Sequence, residues 1–191
     1  MARYWRHCLM TQNNVGIYAS QISGHLWAPN GAYDALATIT IGASAVSAIE
    51  FAGIPQGYRD IELRGVVMTN GATNPTWKVN NDSTTANYSG HHLWGTGAAA
   101  SLNNQSGTVY WNYNPSSSYP SAFIMHWKDY ASNTKNKTMR TIAGSETNGG
   151  TSEIAMWSGG YYSTNPITSI QLNGNGAMFA QYTTISLYGI K

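Results

Sequence analysis

Asp60 and Glu62 stand two residues apart in the segment Arg59-Asp-Ile-Glu-Leu-Arg64. In an extended strand that spacing puts both carboxyls on one face. They would be close enough for the ~5–10 Å separation that glycosidic hydrolysis requires. Arg64 follows on the same face and Arg59 lies beside it. An exposed charge row that keeps a strand's outer face wet and discourages wrong pairing accounts for the same four residues, and it is the preferred reading. The other carboxylates (Asp34, Glu50, Asp82, Asp129, Glu146 and Glu153) are scattered along the chain.

The histidines are His7, His25, His91, His92 and His126. Neighbours in a strand point to opposite faces, so His91 and His92 cannot clasp one ion. No HExxH and no Cys/His ladder is present. The single cysteine, Cys8, has no internal disulfide partner and reads as an inert thiol. No GxSxG, P-loop or GxGxxG occurs. Lys135, Lys137 and Arg140 form a small basic cluster, read as a solvated hairpin end. No catalytic residue, metal or cofactor is therefore expected.

Aromatic residues are the stronger signal. The chain has 7 Trp, 13 Tyr and 3 Phe, but is only 9% charged, against roughly 25% in an average soluble domain. Tyr and Trp suit interfaces because they join apolar area to a polar tip. Phe123, Met125 and Trp127 share one strand face and are expected in the core. The segment Val109-Tyr-Trp-Asn-Tyr-Asn-Pro115 is the candidate exposed patch, with Tyr110, Trp111, Tyr113 and Tyr119 as its contact residues.

The elements that would position these groups are strands. Alternating or apolar runs bounded by Gly, Asn, Ser and Pro lie at 35–41, 46–51, 60–67, 77–81, 88–95, 108–113, 122–130, 138–143, 153–157, 167–172 and 179–190. In 60–67, Ile61, Leu63, Gly65 and Val67 face inward, and Asp60, Glu62, Arg64 and Val66 face water. No window holds a helical period for three turns. The expected fold is all-β: an antiparallel two-sheet β-sandwich, jelly-roll-like, over residues 33–191.

Residues 1–32 differ from the rest. They contain Arg3 and Arg6 and no acid, so the formal charge of +2 rests on the first six residues. Trp5, Leu9 and Trp27 give the segment more apolar bulk than a disordered tail carries. It reads as an extended N-terminal arm that orders against a partner through Arg3, Trp5, Arg6, Leu9 and Trp27. The alternative is one or two extra strands on its own domain. Extended, it could reach about 100 Å. A net charge of +2 without a basic stripe argues against nucleic acid. No run approaches the ~18 apolar residues of a membrane span, and the start is not patterned as a secretory signal.

Two motifs carry a resemblance. The first is Ile49-Glu-Phe-Ala-Gly-Ile-Pro-Gln-Gly-Tyr-Arg-Asp-Ile-Glu-Leu-Arg-Gly65, in which an Ile-Pro-x-x-Tyr turn leads into a strand ending Leu-Arg-Gly. The second is Ile185-Ser-Leu-Tyr-Gly-Ile-Lys191. Together they resemble a β-sandwich module of tailed-bacteriophage virion structural proteins, of the capsid decoration or cement, head-fibre or tail-fibre type. The likeness covers roughly residues 33–191. It implies a non-enzymatic role on a virion, made in the host cytoplasm, and assembly as a homotrimer. The major capsid protein is the implied partner, with tail proteins or host glycans as the alternative. It assigns no functional residues.

Overall fold

The computed structural model describes residues 32–97, 100–146 and 152–191. Eleven strands make up the fold: β1 (Tyr33–Thr40), β2 (Ala48–Ala52), β3 (Asp60–Val67), β4 (Thr76–Val79), β5 (Tyr88–Gly95), β6 (Ala100–Ser106), β7 (Ser121–Lys128), β8 (Lys137–Ser145), β9 (Glu153–Tyr161), β10 (Ser169–Asn173) and β11 (Thr184–Ile190). The one helical piece among the described residues is a single 3-10 turn at Thr85–Asn87. All pairings are antiparallel. One sheet has eight strands in the order β1-β11-β3-β7-β8-β9-β5-β6, and the other has three, β2-β10-β4. The two-sheet antiparallel β-sandwich expected from the sequence is the architecture observed, with sheets of unequal width.

The small sheet turns Ile49, Phe51, Trp77, Val79, Ile170 and Leu172 inward against the large one. Trp77 is the central contact. Its ring meets Trp127 edge-on at 4.8 Å between centroids and lies so near Gly159 that a β-carbon there would stand 2.9 Å away. Phe123, Met125 and Trp127 are buried, as their shared face predicts. A buried aromatic contributes more area than any aliphatic residue, so a chain poor in Leu and Phe still fills its core with Trp and Tyr.

Two expectations fail. The segment 108–113 is not a strand. It runs beside β4, meeting it through the bridge from Thr76 to Tyr110 and the bond from Trp111 Nε1 to the Thr76 carbonyl. Side-chain bonds replace the ladder there: Asn112 Oδ1 accepts from the Tyr113 amide (2.8 Å) and from Ser121 Oγ (2.7 Å), and Asn114 adopts φ 45°. In its place Ala100–Ser106 forms edge strand β6, a polar and mostly exposed run with no apolar alternation.

Candidate functional site

Register places the outward residues of the large sheet in rows that run across the strands. One row is apolar. Leu102 faces Leu93, Leu93 faces Met156, Met156 faces Ile142, and Ile142 faces Ile124. All five are between 42% and 78% exposed. Beyond Ile124 the row continues into Arg64 and Ser186. A second row, one strand repeat away, runs Ala100, Gly95, Ile154, Gly144, Ala122, Val66. Ile154 and Val66 are exposed there too.

The row on the other flank is polar: Asn104, His91, Ser158, Arg140, His126, Glu62 and Tyr188. Beside it a cleft of about 400 Å³ is lined by His126, Lys128, Asp129, Lys135, Thr138 and Arg140. Arg140 also lines a second hollow of about 390 Å³ with Leu93, Leu102 and Met156. The cationic cleft and the apolar row thus meet at Arg140.

The carboxylates of β3 do not form a wet row, which corrects the sequence reading. Asp60 and Glu62 are buried. Both face outward but lie mid-sheet, where neighbouring long side chains cover them. Asp60 Oδ1 accepts the Asp129 amide at 3.0 Å. Its Oδ2 meets Arg59 Nε at 3.0 Å, His126 Nε2 at 3.5 Å and Lys128 Nζ at 3.6 Å. Burial alone would raise the Asp60 pKa, but the Asp129 amide, Arg59 and Lys128 hold it below the usual carboxylate value. That is the opposite of what a glycosidic general acid needs. Glu62 is paired with Arg64, and the Arg64 guanidinium lies 4.6 Å from the ring centre of Tyr33 and 5.5 Å from that of Tyr188.

The basic cluster is not a solvated hairpin end either. Lys137 is buried, and its Nζ donates to the carbonyls of Lys135 (2.7 Å), Thr164 (3.1 Å) and Ser163 (3.4 Å). Burial lowers its pKa. Lys135 and Arg140 are exposed; Lys135 pairs with Asp129 at 3.0 Å. Arg140 Nη1 donates to Ser158 Oγ (2.8 Å) and to the Met139 carbonyl (3.0 Å).

Asp82 is a structural acid at the same end of the sheet, bonded to Tyr161, the register partner of Lys137. It accepts from Asn87 Nδ2 (2.7 Å), the Thr84 amide (2.8 Å) and Tyr161 OH (3.0 Å), which together bring its pKa down to about 2. Among the described residues no group of three His, Cys, Asp or Glu could hold a metal ion. His91 and His92 do face opposite ways, one exposed and one buried.

The candidate aromatic patch is split by burial. Trp111 is fully buried, edge-on to Phe123 at 4.5 Å, with Nε1 donating to the Thr76 carbonyl at 3.0 Å. Tyr110 and Tyr113 are half-buried and pack against the core. Tyr119 is exposed, on the loop before β7. The four do not form one surface. The arm residues Arg3, Trp5, Arg6, Leu9 and Trp27 lie outside the described residues. Sequence reading alone does not find the apolar row, because its central members are hidden between buried residues, as in Phe123-Ile-Met125 and Ala155-Met-Trp157, and Leu102 stands alone in a polar strand. The signal was present: three adjacent apolar residues in a strand place one of them outside.

No protein-family model, no curated protein and no solved structure matches this chain.

Proposed function

We propose that this chain is a non-enzymatic structural protein of a tailed-bacteriophage virion, a decoration protein on the outer shell. Residues 1–32 anchor it to the major capsid protein, and the sandwich stands outside, assembled as a homotrimer. One observation carries the reading: the two motifs that resemble the virion module pack together. Tyr58 of the first lies against Gly189 of the second, and Arg64 of the first sits near Tyr188 of the second. Their joint presence therefore marks one packed unit rather than two short coincidences. The carboxylates most suited to hydrolysis, Asp60 and Glu62, are each tied into ion pairs, which favours a contact protein over a glycan-cleaving enzyme. A tail adaptor that recognises glycans through residues 110–119 has less support, because Trp111 belongs to the core.

The test is copy number in purified particles, measured by quantitative mass spectrometry. Hundreds of copies support a shell protein; a few dozen move the protein to the tail; none removes it from the virion. Anchoring by the arm predicts that Arg3→Glu with Arg6→Glu lowers occupancy on undecorated shells. Undiminished occupancy would dispose of that part.

A further inference from the structure

We infer that the outer face of the eight-stranded sheet is a docking surface for a protein partner that presents aliphatic side chains flanked by carboxylates. It deepens the decoration reading, on which only the partner's identity rests; the surface and its chemistry come from the sheet itself.

Away from the polar row, the outer face of β7, β8 and β9 reads like that of strands covered on both faces. Phe123, Met125, Thr141, Ala143, Ala155 and Trp157 fill the inner face. The outward residues next to them are Ile124, Ile142, Ile154 and Met156, where a sheet with one wet face would carry polar groups. With Leu93 and Leu102 the main row crosses five strands, about 19 Å at the usual inter-strand spacing. A contiguous apolar patch of this kind with a polar rim marks an interaction site.

The rim names the partner's charge. Lys128, Lys135 and Arg140 are exposed on one flank with His126. The acids among them are already engaged: Asp60 by Arg59, His126 and Lys128, and Asp129 by Lys135. The same pairs engage Lys128 and Lys135; the partners of Arg140 among the described residues are neutral oxygens, so its charge is the one the rim offers. An incoming carboxylate beside the aliphatic row would meet a planar guanidinium suited to it.

Charge and side-chain type separate this partner from the other occupants. Residues 1–31 contain no acid, so this chain's own leader cannot answer the cationic flank. A second copy meeting the face across a two-fold axis presents the same flank, with its acids spent. Sugars bind by stacking on aromatic rings, and the row is wholly aliphatic.

The test uses the full chain and fluorescent synthetic peptides with a Leu-Ile-Leu-Val centre. One peptide carries Glu-Asp flanks, a second carries Lys flanks, and a third has the acidic flanks and a Ser-Gly centre. Saturable binding of the first is expected, at least tenfold tighter than the other two. Arg140→Glu and Ile142→Asp should each weaken it at least tenfold, with Arg140→Lys intermediate. Both positions are exposed, and unchanged thermal melts establish folding. Should Ile142→Asp not fold, Leu102→Asp on the edge strand replaces it.

Equal binding of all three peptides, or by the variants, would overturn the inference. So would oligogalacturonate binding as tightly as the acidic peptide, which would assign the face to a glycan. Self-association abolished by Ile142→Asp would assign it to a second copy. Protection of Met156 from hydroxyl-radical oxidation in the monomer would assign it to the leader. Decoration of particles that is indifferent to Ile142→Asp would remove this surface and leave the decoration reading standing. Absence of the protein from particles, with peptide binding intact, would do the reverse.

Discussion

The ring of Tyr58 occupies the space that a side chain at Gly189 would need. A β-carbon on Gly189 would stand 2.5 Å from Tyr58 Cγ and 2.6 Å from both Cδ atoms. The ring is held at its other end, where the hydroxyl donates to Asp34 Oδ2 at 2.9 Å, and that carboxylate pairs with Lys191 Nζ, also at 2.9 Å. Overpacking costs about 1–3 kcal/mol. Gly189→Ala should therefore lower stability by about that much, read as a lower urea midpoint at unchanged slope. Tyr58→Phe keeps the packing and loses one solvent-screened hydrogen bond, so it should cost less than Gly189→Ala. An alanine variant as stable as the parent would show that Tyr58 swings away freely.

Asp60 gives a second prediction. Its carboxylate organises Arg59, Lys128, His126 and the Asp129 amide, and Asp60→Asn keeps the shape while removing the charge. A loss of about 1–3 kcal/mol is expected. Because the folded pKa lies below its ordinary value of 3.8, the charged form is stabilised by folding. That contribution is complete above the unfolded value and disappears as pH falls through the folded one. Denaturant titrations from pH 6 to pH 2 should thus show a steeper acid loss for the parent than for Asp60→Asn; parallel curves would refute the assignment.

A third prediction concerns His92, buried between Trp94 (4.7 Å) and Trp157 (5.9 Å). Gln105 Oε1 accepts the Tyr110 amide at 2.8 Å, so its Nε2, 3.1 Å from His92 Nδ1, is the donor. Nδ1 then accepts, and the proton of the neutral ring sits on Nε2. Burial lowers the His92 pKa. Between the folded value and the ordinary 6.5 the unfolded chain binds the extra proton, so stability falls as pH drops through that window. His92→Gln should flatten the stability profile just below pH 6.5. Nuclear magnetic resonance of the imidazole should show the Nε2-protonated tautomer at neutral pH.

Alternation made most of the fold legible. Tyr88–Gly95 and Asp60–Val67 were read with their observed bounds because side chains of opposite character alternate there or turn residues bracket them. Ala100–Ser106 was not legible: its polar residues lie on a sheet edge, where burial imposes no pattern, and only its partner β5 defines it. The segment around Trp111 misled because bulky β-formers suit an irregular stretch as well as a strand once Asn side chains satisfy the backbone. Burial of Asp60, Glu62 and Lys137 was illegible for another reason. It depends on neighbours distant in sequence, such as His126 against Glu62, and Ser163 and Thr164 around Lys137. The apolar row shows the same limit, since single apolar residues on five strands form one surface only after register aligns them.

Lys137 supplies the last prediction. Its ammonium ties the start of β8 to the loop carrying Ser163 and Thr164, donating to three carbonyls at 2.7–3.4 Å. Lys137→Met matches the length, removes the cost of burying a charge, and leaves those carbonyls without their donor. The lost bonds dominate because charge-assisted hydrogen bonds are each worth about 1.5–3 kcal/mol, and a net loss of about 1–3 kcal/mol is expected. The pH dependence separates this from simple packing. Burial lowers the Lys137 pKa from 10.5, so between the folded and unfolded values the unfolded chain holds a proton the folded chain has released. Stability from this group therefore rises with pH across that window. Buried tyrosines act the other way: Tyr88 is pushed up to about 12 by burial, and stability falls above pH 10 as the unfolded phenols ionise. The difference between parent and Lys137→Met cancels the tyrosines. It should widen as pH is raised from 8 to 10, and a constant difference would mean that Lys137 is not buried as a cation.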